Sequence, residues 1–341
     1  MPLLEVRDLT VSFHTTDGLV QAVRGVSFDI DKGHTLGIVG ESGSGKTVCT
    51  QALLGLTPGA DVSGEALFEG RDLLRMRRSQ LRAVRGARIA AIFQDPLSSL
   101  HPLYRVGWQI IEMIRAHQRV SRPAARARAI ELLSLVGIPQ AASRVDDYPH
   151  QFSGGMRQRA MIAMALALNP DLIIADEPTT ALDATVQAQV IELMGRLQEE
   201  FDSALIIITH DMGVIAEMAD EVLVMYAGKA VEHTDRRTLF YSPHHPYTVG
   251  LLESIPGSAG AGERLRPIVG QPPSLISIPS GCAFHPRCRY VMDRCRTEIP
   301  PLATVGRDHR SACFLPSLLQ GVAGQVEAER RQTALAHGGA P

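Results

Sequence analysis

Gly40-Glu41-Ser42-Gly43-Ser44-Gly45-Lys46-Thr47 is the stretch on which the reading of this chain turns. It follows Thr35-Leu36-Gly37-Ile38-Val39, an apolar run expected to be a buried strand, and precedes a helix-compatible run from Val48 to Leu54. Strand, glycine-rich turn and helix form the context in which G-x-x-x-x-G-K-[ST] becomes a phosphate site. Glycines at 40, 43 and 45 let the backbone curl until successive N–H groups, with Ser42 and Ser44 between them, point at phosphate oxygens. The helix N-terminus adds its positive end. Lys46 is placed to reach the β- and γ-phosphates as a point charge, and the Thr47 hydroxyl to ligate Mg²⁺. A glycine-rich turn with a surface lysine is the plainer reading. Lysine usage argues against it: Lys32, Lys46 and Lys229 are the chain's lysines among 34 basic residues, and one stands where the motif needs it.

Outward from this stretch the pattern alternates strand and helix. Residues 3–13 and 20–30 read as two strands joined by a polar turn near Asp17-Gly18. Ile89–Phe93 reads as a strand leading to Gln94, and helical patterns run from about Val106 to Val136, with Pro123 near a helix start. Leu172–Ala175 ends at Asp176-Glu177, Leu205–Ile208 ends at Thr209-His210, and Val222–Tyr226 follows a further helix. Val186, Val190, Leu193, Met194 and Leu197 keep the helical period between the first two of these. Continuous apolar strands separated by helices imply an α/β fold, its sheet mostly parallel and covered on both faces, with chemistry at the strand C-termini. Seven arginines between residues 71 and 88 carry no interleaved aromatics and read as a solvated face.

Two carboxylates, a histidine and a second anion-binding turn fit one reaction. Asp176 is expected to hold Mg²⁺, directly or through water, and Glu177 to activate the attacking water. His210 ends another buried strand. Ser153-Gly154-Gly155 opens a helix and supplies a second helix start suited to anions. Two such starts far apart in one chain suit a head-to-tail pair, each nucleotide held between one chain's phosphate loop and the other's Ser-Gly-Gly turn.

Composition limits the alternatives. A chain of 341 residues, 45% hydrophobic and 21% charged, is an ordinary globular sequence of about two domains. A net charge of −2 and a pI near 6.6 give no electrostatic footprint for nucleic acid. The longest apolar run, Ala160–Leu168, is too short to span a bilayer. The N-terminus lacks a signal peptide's basic start and apolar block, so a cytoplasmic location is expected, with thiols reduced.

The motifs in this order resemble those of the ABC-transporter ATPase subunits over residues 3–250. Gly40–Thr47 corresponds to Walker A, Gln94 to the Q-loop glutamine, and Phe152-Ser153-Gly154-Gly155-Met156 to the signature. Leu172–Asp176 with Glu177 corresponds to Walker B, Ala181-Leu182-Asp183 to the D-loop, and His210 to the switch histidine. The signature departs from Leu-Ser-Gly-Gly-Gln at its first and last positions and keeps Ser153 and both glycines. The resemblance implies that Gln94 ligates Mg²⁺ and couples nucleotide state to a permease helix. Phe13, otherwise a core candidate, would stack on adenine; His210 would contact the γ-phosphate, and Asp183 would communicate across the dimer. Phe93–Leu100, Asp176–Asp183 and His245-Pro246-Tyr247-Thr248 further resemble the ATPases of dipeptide, oligopeptide and nickel importers. Those ATPases pair beneath two permeases fed by an extracytoplasmic binding protein, here expected with a paralogous chain rather than a second copy. The implied architecture is a P-loop NTPase over residues 1–250, with an N-terminal antiparallel β subdomain and a helical subdomain at about 95–168. A small loop-rich domain would occupy 251–316 and a disordered tail 317–341. The implied function is ATP hydrolysis powering import at the cytoplasmic face of the inner membrane. A non-transport ABC ATPase, or an iron–sulfur sensor with a nucleotide switch, are the alternatives.

Cys282, Cys288, Cys295 and Cys313 are separated by five, six and seventeen residues, without the tight pairs of zinc ribbons or bacterial ferredoxins. Four reduced cysteines in a loop-rich segment suggest thiolate ligation of Zn²⁺ or an iron–sulfur cluster. The importer resemblance implies a [4Fe–4S] cluster. Arg287, Arg289, Arg294 and Arg296 are expected to offset its negative charge. Cys49 reads as a small buried residue.

Overall fold

The computed structural model describes residues 2–95, 99–180, 182–255 and 267–315. The expected tail at 317–341 lies outside the described residues, as do Ala181 and the Pro96-Leu97-Ser98 stretch. Twelve strands are described, in chain order β1 (Leu4–Thr15), β2 (Gly18–Ile30), β3 (Thr35–Val39), β4 (Ala60–Phe68), β5 (Arg71–Asp72) and β6 (Ile89–Ile92). Then come β7 (Leu172–Asp176), β8 (Ala204–Thr209), β9 (Glu221–Tyr226), β10 (Lys229–Asp235), β11 (Ala303–Gly306) and β12 (His309–Ser311). The chain divides into two compact units, one of residues up to 5, 29–35 and 67–208, the other of 6–28, 36–66 and 209 onward.

In the first unit β6, β7 and β8 run parallel, with Ile89 opposite Leu172 and Leu172 opposite Ala204. Every residue of β7 and β8 is buried. Such strands are apolar throughout because helices must cover both faces of a parallel sheet. The longer helices of this unit are Val106–His117, Arg122–Leu135, Gly154–Ala165 and Ala184–Phe201. Ser121 caps the second of them, with Pro123 in its first turn as expected, where a missing N–H costs nothing.

In the second unit the sheet order is β11-β12-β10-β9-β3. β3 and β9 are parallel, Leu36 opposite Glu221. β9 and β10 form a hairpin through Ala227 and Gly228, both at positive φ (+47° and +78°), as the twist-matched two-residue turn requires. The segment after residue 267 adds the antiparallel β11–β12 pair, with Glu232 opposite Ser311. β1, β2 and β4 lie in a separate antiparallel sheet, ordered β2-β1-β4. Among the described residues no helix is long and apolar enough to cross a membrane.

Candidate functional site

The phosphate loop belongs to the second unit. β3 ends at Val39, and the chain turns through Gly40, Gly43 and Gly45, at φ +158°, +77° and +98°. A Cβ at Gly40 would stand 2.2 Å from the Met225 carbonyl oxygen, and one at Gly45 2.2 Å from that of Ala22. Glycine is therefore demanded at both positions by space as well as by φ. Lys46 opens the helix Lys46–Leu53 and is 5% exposed. Its Nζ donates to the Gly40 carbonyl at 2.6 Å and to that of Glu41 at 3.0 Å. The Ser44 hydroxyl is buried and finds no hydrogen-bond partner among the described residues. A buried hydroxyl left so costs about 1–3 kcal/mol, which an anion's oxygen in the loop would relieve. Thr47 is half-buried, and Ser42 and Gly43 are exposed. Phe13 is half-buried on β1, and His210 is exposed just ahead of the helix Met212–Met218.

The carboxylates belong to the first unit. Asp176 ends β7 and is 6% exposed. Glu177 follows at φ +46°, a left-handed conformation uncommon outside glycine, and its N–H donates to the Ile208 carbonyl at 2.8 Å. Gln94 Nε2 donates to Glu177 Oε2 at 3.0 Å, and Thr180 Oγ1 donates to the same oxygen at 2.9 Å. The glutamine after β6 and the acid after β7 are thus brought together, and Thr180 joins them unannounced by the sequence. Two donors on one oxygen fix the carboxylate's orientation, which a general base for water requires.

Ser153 caps the helix Gly154–Ala165, its hydroxyl accepting from the Met156 N–H at 3.3 Å. Ser153 and Gly154 are exposed. A Cβ at Gly155 would stand 2.8 Å from Val186 Cγ1, so this glycine serves the packing of two helices. Asp183 caps the second of them, accepting from the Val186 N–H at 3.0 Å. Gly155 and the helix that Asp183 caps are thus neighbours, and Ser153, Gly154 and Asp183 are exposed.

Cys282, Cys288, Cys295 and Cys313 line one pocket in the second unit, together with His245, Phe284, His285, Tyr290 and Phe314. The Cys282 N–H donates to the Cys295 carbonyl at 2.8 Å, and the Cys313 sulfur accepts from the Leu315 N–H at 3.4 Å. Burial raises the thiols of Cys282 and Cys288 and pushes Cys313 up to about 11. Among the described residues no three His, Cys, Asp or Glu side chains are grouped as a metal ion requires. The expected metal-binding domain is therefore seen here only as four cysteines lining one shared pocket. Hydrogen-bonded loops set the positions of these thiols, and spacing alone does not reveal that. The charge-offset reading holds for Arg289, which favours the Cys288 thiolate, while three of the four arginines also take acidic partners. Arg287, Arg289 and Arg294 pair with Glu41, Glu253 and Glu298. Cys49 is fully buried, as expected, and burial pushes its thiol up to about 12.

Comparison with known proteins follows the same outline. A family model described as ABC transporter matches residues 23–180, and one described as oligopeptide/dipeptide transporter, C-terminal region, matches residues 231–295. The oligopeptide transport ATP-binding protein of Bacillus subtilis (strain 168) is 53% identical over 311 residues, 90% of this chain and 87% of that protein. The dipeptide transport ATP-binding protein of Escherichia coli (strain K12) is 48% identical over 318 residues, 93% of this chain and 97% of its own. The solved dimeric, post-hydrolysis structure of an ATP-binding cassette with ADP and Pi matches with a TM-score of 0.62 at 26% identity. The match covers 69% of this chain and 99% of the cassette.

Proposed function

This chain belongs to the ATP-binding subunits of the oligopeptide/dipeptide ABC transporters, and from that premise we propose that it hydrolyses ATP to drive uptake of short peptides, or nickel. The reading is carried by the phosphate loop, where two glycines admit no Cβ and a buried lysine and an unsatisfied buried hydroxyl stand beside them. The ABC ATPase fold, with its antiparallel β sheet and helical part, is common to the matching cassette.

The residues divide the work as follows. Gly40, Ser42, Gly43, Ser44, Gly45, Lys46 and Thr47 hold the phosphates, and Phe13 stacks on the base. Glu177, oriented by Gln94 and Thr180, takes the proton of the attacking water, and His210 contacts the γ-phosphate. Thr47, Asp176 and Gln94 are hard oxygen donors of the kind Mg²⁺ selects, and they would hold it. When bound, the ion supplies charge neutralisation across the phosphates. Ser153, Gly154 and Gly155 close the nucleotide site of a facing chain, and Asp183 signals across that interface. The exposure of Ser153, Gly154 and Asp183 supports this reading.

The partners are a paralogous ATPase chain and two permease subunits at the inner face of the membrane, with an extracytoplasmic binding protein acting through the permeases. Residues 1–250 form the nucleotide-binding domain and 251–316 the importer-type extension. The four cysteines would hold a [4Fe–4S] cluster, or Zn²⁺, and give the extension order. Their convergence on one pocket supports this, and brown absorbance lost in Cys288→Ser tests it.

The test of function is Mg-ATP hydrolysis by the full chain reconstituted with its permease, followed with labelled dipeptide. Peptide uptake dependent on ATP and abolished in Lys46→Ala is expected. Hydrolysis without uptake of any peptide or nickel would refute the cargo assignment.

A further inference from the structure

Arg287 directly precedes Cys288, yet its guanidinium ends on the second residue of the phosphate loop. Nη1 donates to Glu41 Oε2 at 2.6 Å and Nη2 to Glu41 Oε1 at 2.9 Å, a two-point pair. The other donations of this guanidinium go to the carbonyls of Val269 and Gly270, each at 3.1 Å, and to the Tyr226 hydroxyl at 3.3 Å. The Arg287 side chain is 5% exposed and that of Glu41 26%. A second tie reaches the same residue, because the Glu41 N–H donates to the Tyr247 hydroxyl at 2.7 Å. Tyr247 is fully buried, and its ring packs on Tyr226 and Phe284 with centroids 4.7 and 5.4 Å away. Phe284 in turn lines the cysteine pocket. The third tie is Lys46, bonded to the Glu41 carbonyl. Glu41 is thus held at its N–H, its carbonyl and its carboxylate.

A carboxylate in a loop that receives a polyphosphate poses an electrostatic problem. Like charges a few ångströms apart repel strongly where water is partly excluded. A guanidinium paired at two points cancels that charge and fixes the residue from which the loop begins to curl. We propose that Arg287, with Tyr247, is a positioning residue for the phosphate loop, through which the cysteine-bearing segment sets nucleotide affinity. This rests on the reading that Gly40–Thr47 binds nucleotide. It adds a role for a segment outside the Gly40–Thr47 loop, and coupling of this kind is reciprocal: nucleotide must also steady the cysteine segment.

The experiment measures Mg-ADP binding by calorimetry and ATP turnover for the full chain and three variants, with folding checked by circular dichroism. Arg287→Gln exposes the nucleotide's phosphates to an unpaired Glu41, so Mg-ADP affinity falls and the KM for ATP rises by about tenfold, while kcat changes by less than about twofold. Tyr247→Phe keeps the ring and removes only the hydroxyl, weakening binding by about threefold. The double variant E41Q/R287Q removes both charges and recovers binding to within about threefold of wild type. A purely structural arginine would not be rescued in this way. Wild-type affinity in folded Arg287→Gln overturns the proposal, as does a double variant no tighter than the single one. If Arg287→Gln does not fold, unchanged affinity in Tyr247→Phe overturns it instead. Failure of the wild type to bind Mg-ADP at all refutes the nucleotide reading itself, which keeps the two failures apart.

Discussion

The phosphate loop and the cysteine segment are both irregular backbone that gathers polar groups, and they are held in different ways. In the loop, glycines at 40 and 45 lie so close to the Met225 and Ala22 carbonyls that the path of the chain is fixed by collision. In the cysteine segment the path is fixed by hydrogen bonds between loops, such as Cys282 N–H to the Cys295 carbonyl, around a pocket lined by four cysteines. The first is a finished receptor before any ligand arrives. The second depends on ties that can be loosened one at a time, and one of them, Arg287 to Glu41, joins it to the first. A rigid loop supported by a more yielding segment can have its affinity adjusted without losing its shape.

The largest effect expected from breaking this contrast is at Gly40. Gly40→Ala drives a Cβ into backbone that cannot move, so Mg-ADP affinity falls by at least about a hundredfold, near 3 kcal/mol. The matching change, Gly281→Ala, meets the Cys295 carbonyl at 2.5 Å in the other region. There, loss of affinity of about tenfold or less is expected, alongside a lower melting temperature. Equal losses at the two glycines would erase the distinction.

Acid sharpens the comparison next. Burial holds His245, at the edge of the thiol pocket, down to about 4, and its Nδ1 accepts the Tyr247 N–H at 3.1 Å. A histidine whose folded pKa lies below its ordinary 6.5 gives stability that is complete above 6.5 and is lost as pH falls toward 4. The total is roughly 3 kcal/mol. Glu232 accepts the His245 N–H, the Phe284 ring lies 5.9 Å away, and burial outweighs the opposing pull of Glu232. Urea denaturation between pH 7.5 and 4.5 should show this loss in wild type and a shallower one in His245→Asn. Identical slopes would remove His245 from the account.

The smallest effect is in thiol chemistry. Cys49, fully buried behind the phosphate loop, should resist iodoacetamide in the folded, metal-free chain at pH 8, whereas half-buried Cys282 and Cys288 are alkylated first. Peptide mass spectrometry reads the order directly.

How much of this was legible in the sequence follows from where the partners lie. β3, β7, β8 and β9 announce themselves because each is an unbroken apolar run between glycine or polar punctuation. β10 does not. Its Glu232, His233 and Thr234 are almost wholly buried, and their polarity masks the strand. Glu232 is satisfied by His309 Nε2 at 2.8 Å and by the N–H groups of His244 and His245, none of them within the strand. β4 was also silent, since Asp61, Ser63, Gly64 and Glu65 break its alternation and only its last residues are well buried. Within the site, the loop, both carboxylates and the capping serine are local motifs and could be read. Thr180 beside Glu177, and Arg287 on Glu41 across 246 positions, could not, because nothing local distinguishes those residues from solvated ones. Among the arginines near the thiols, Arg289 does favour the Cys288 thiolate, while the pairing of Arg287 with Glu41 has no local signal.

The roles proposed for this site place nucleotide binding and water activation in separate groups. The most direct measurement is a pair of assays on Glu177→Gln with Mg-ATP, equilibrium binding and steady-state phosphate release. Binding within about threefold of wild type, with turnover lowered by about a thousandfold, is the expected result. Turnover near wild type, or loss of binding in step with turnover, contradicts the assignment of Glu177 as the base.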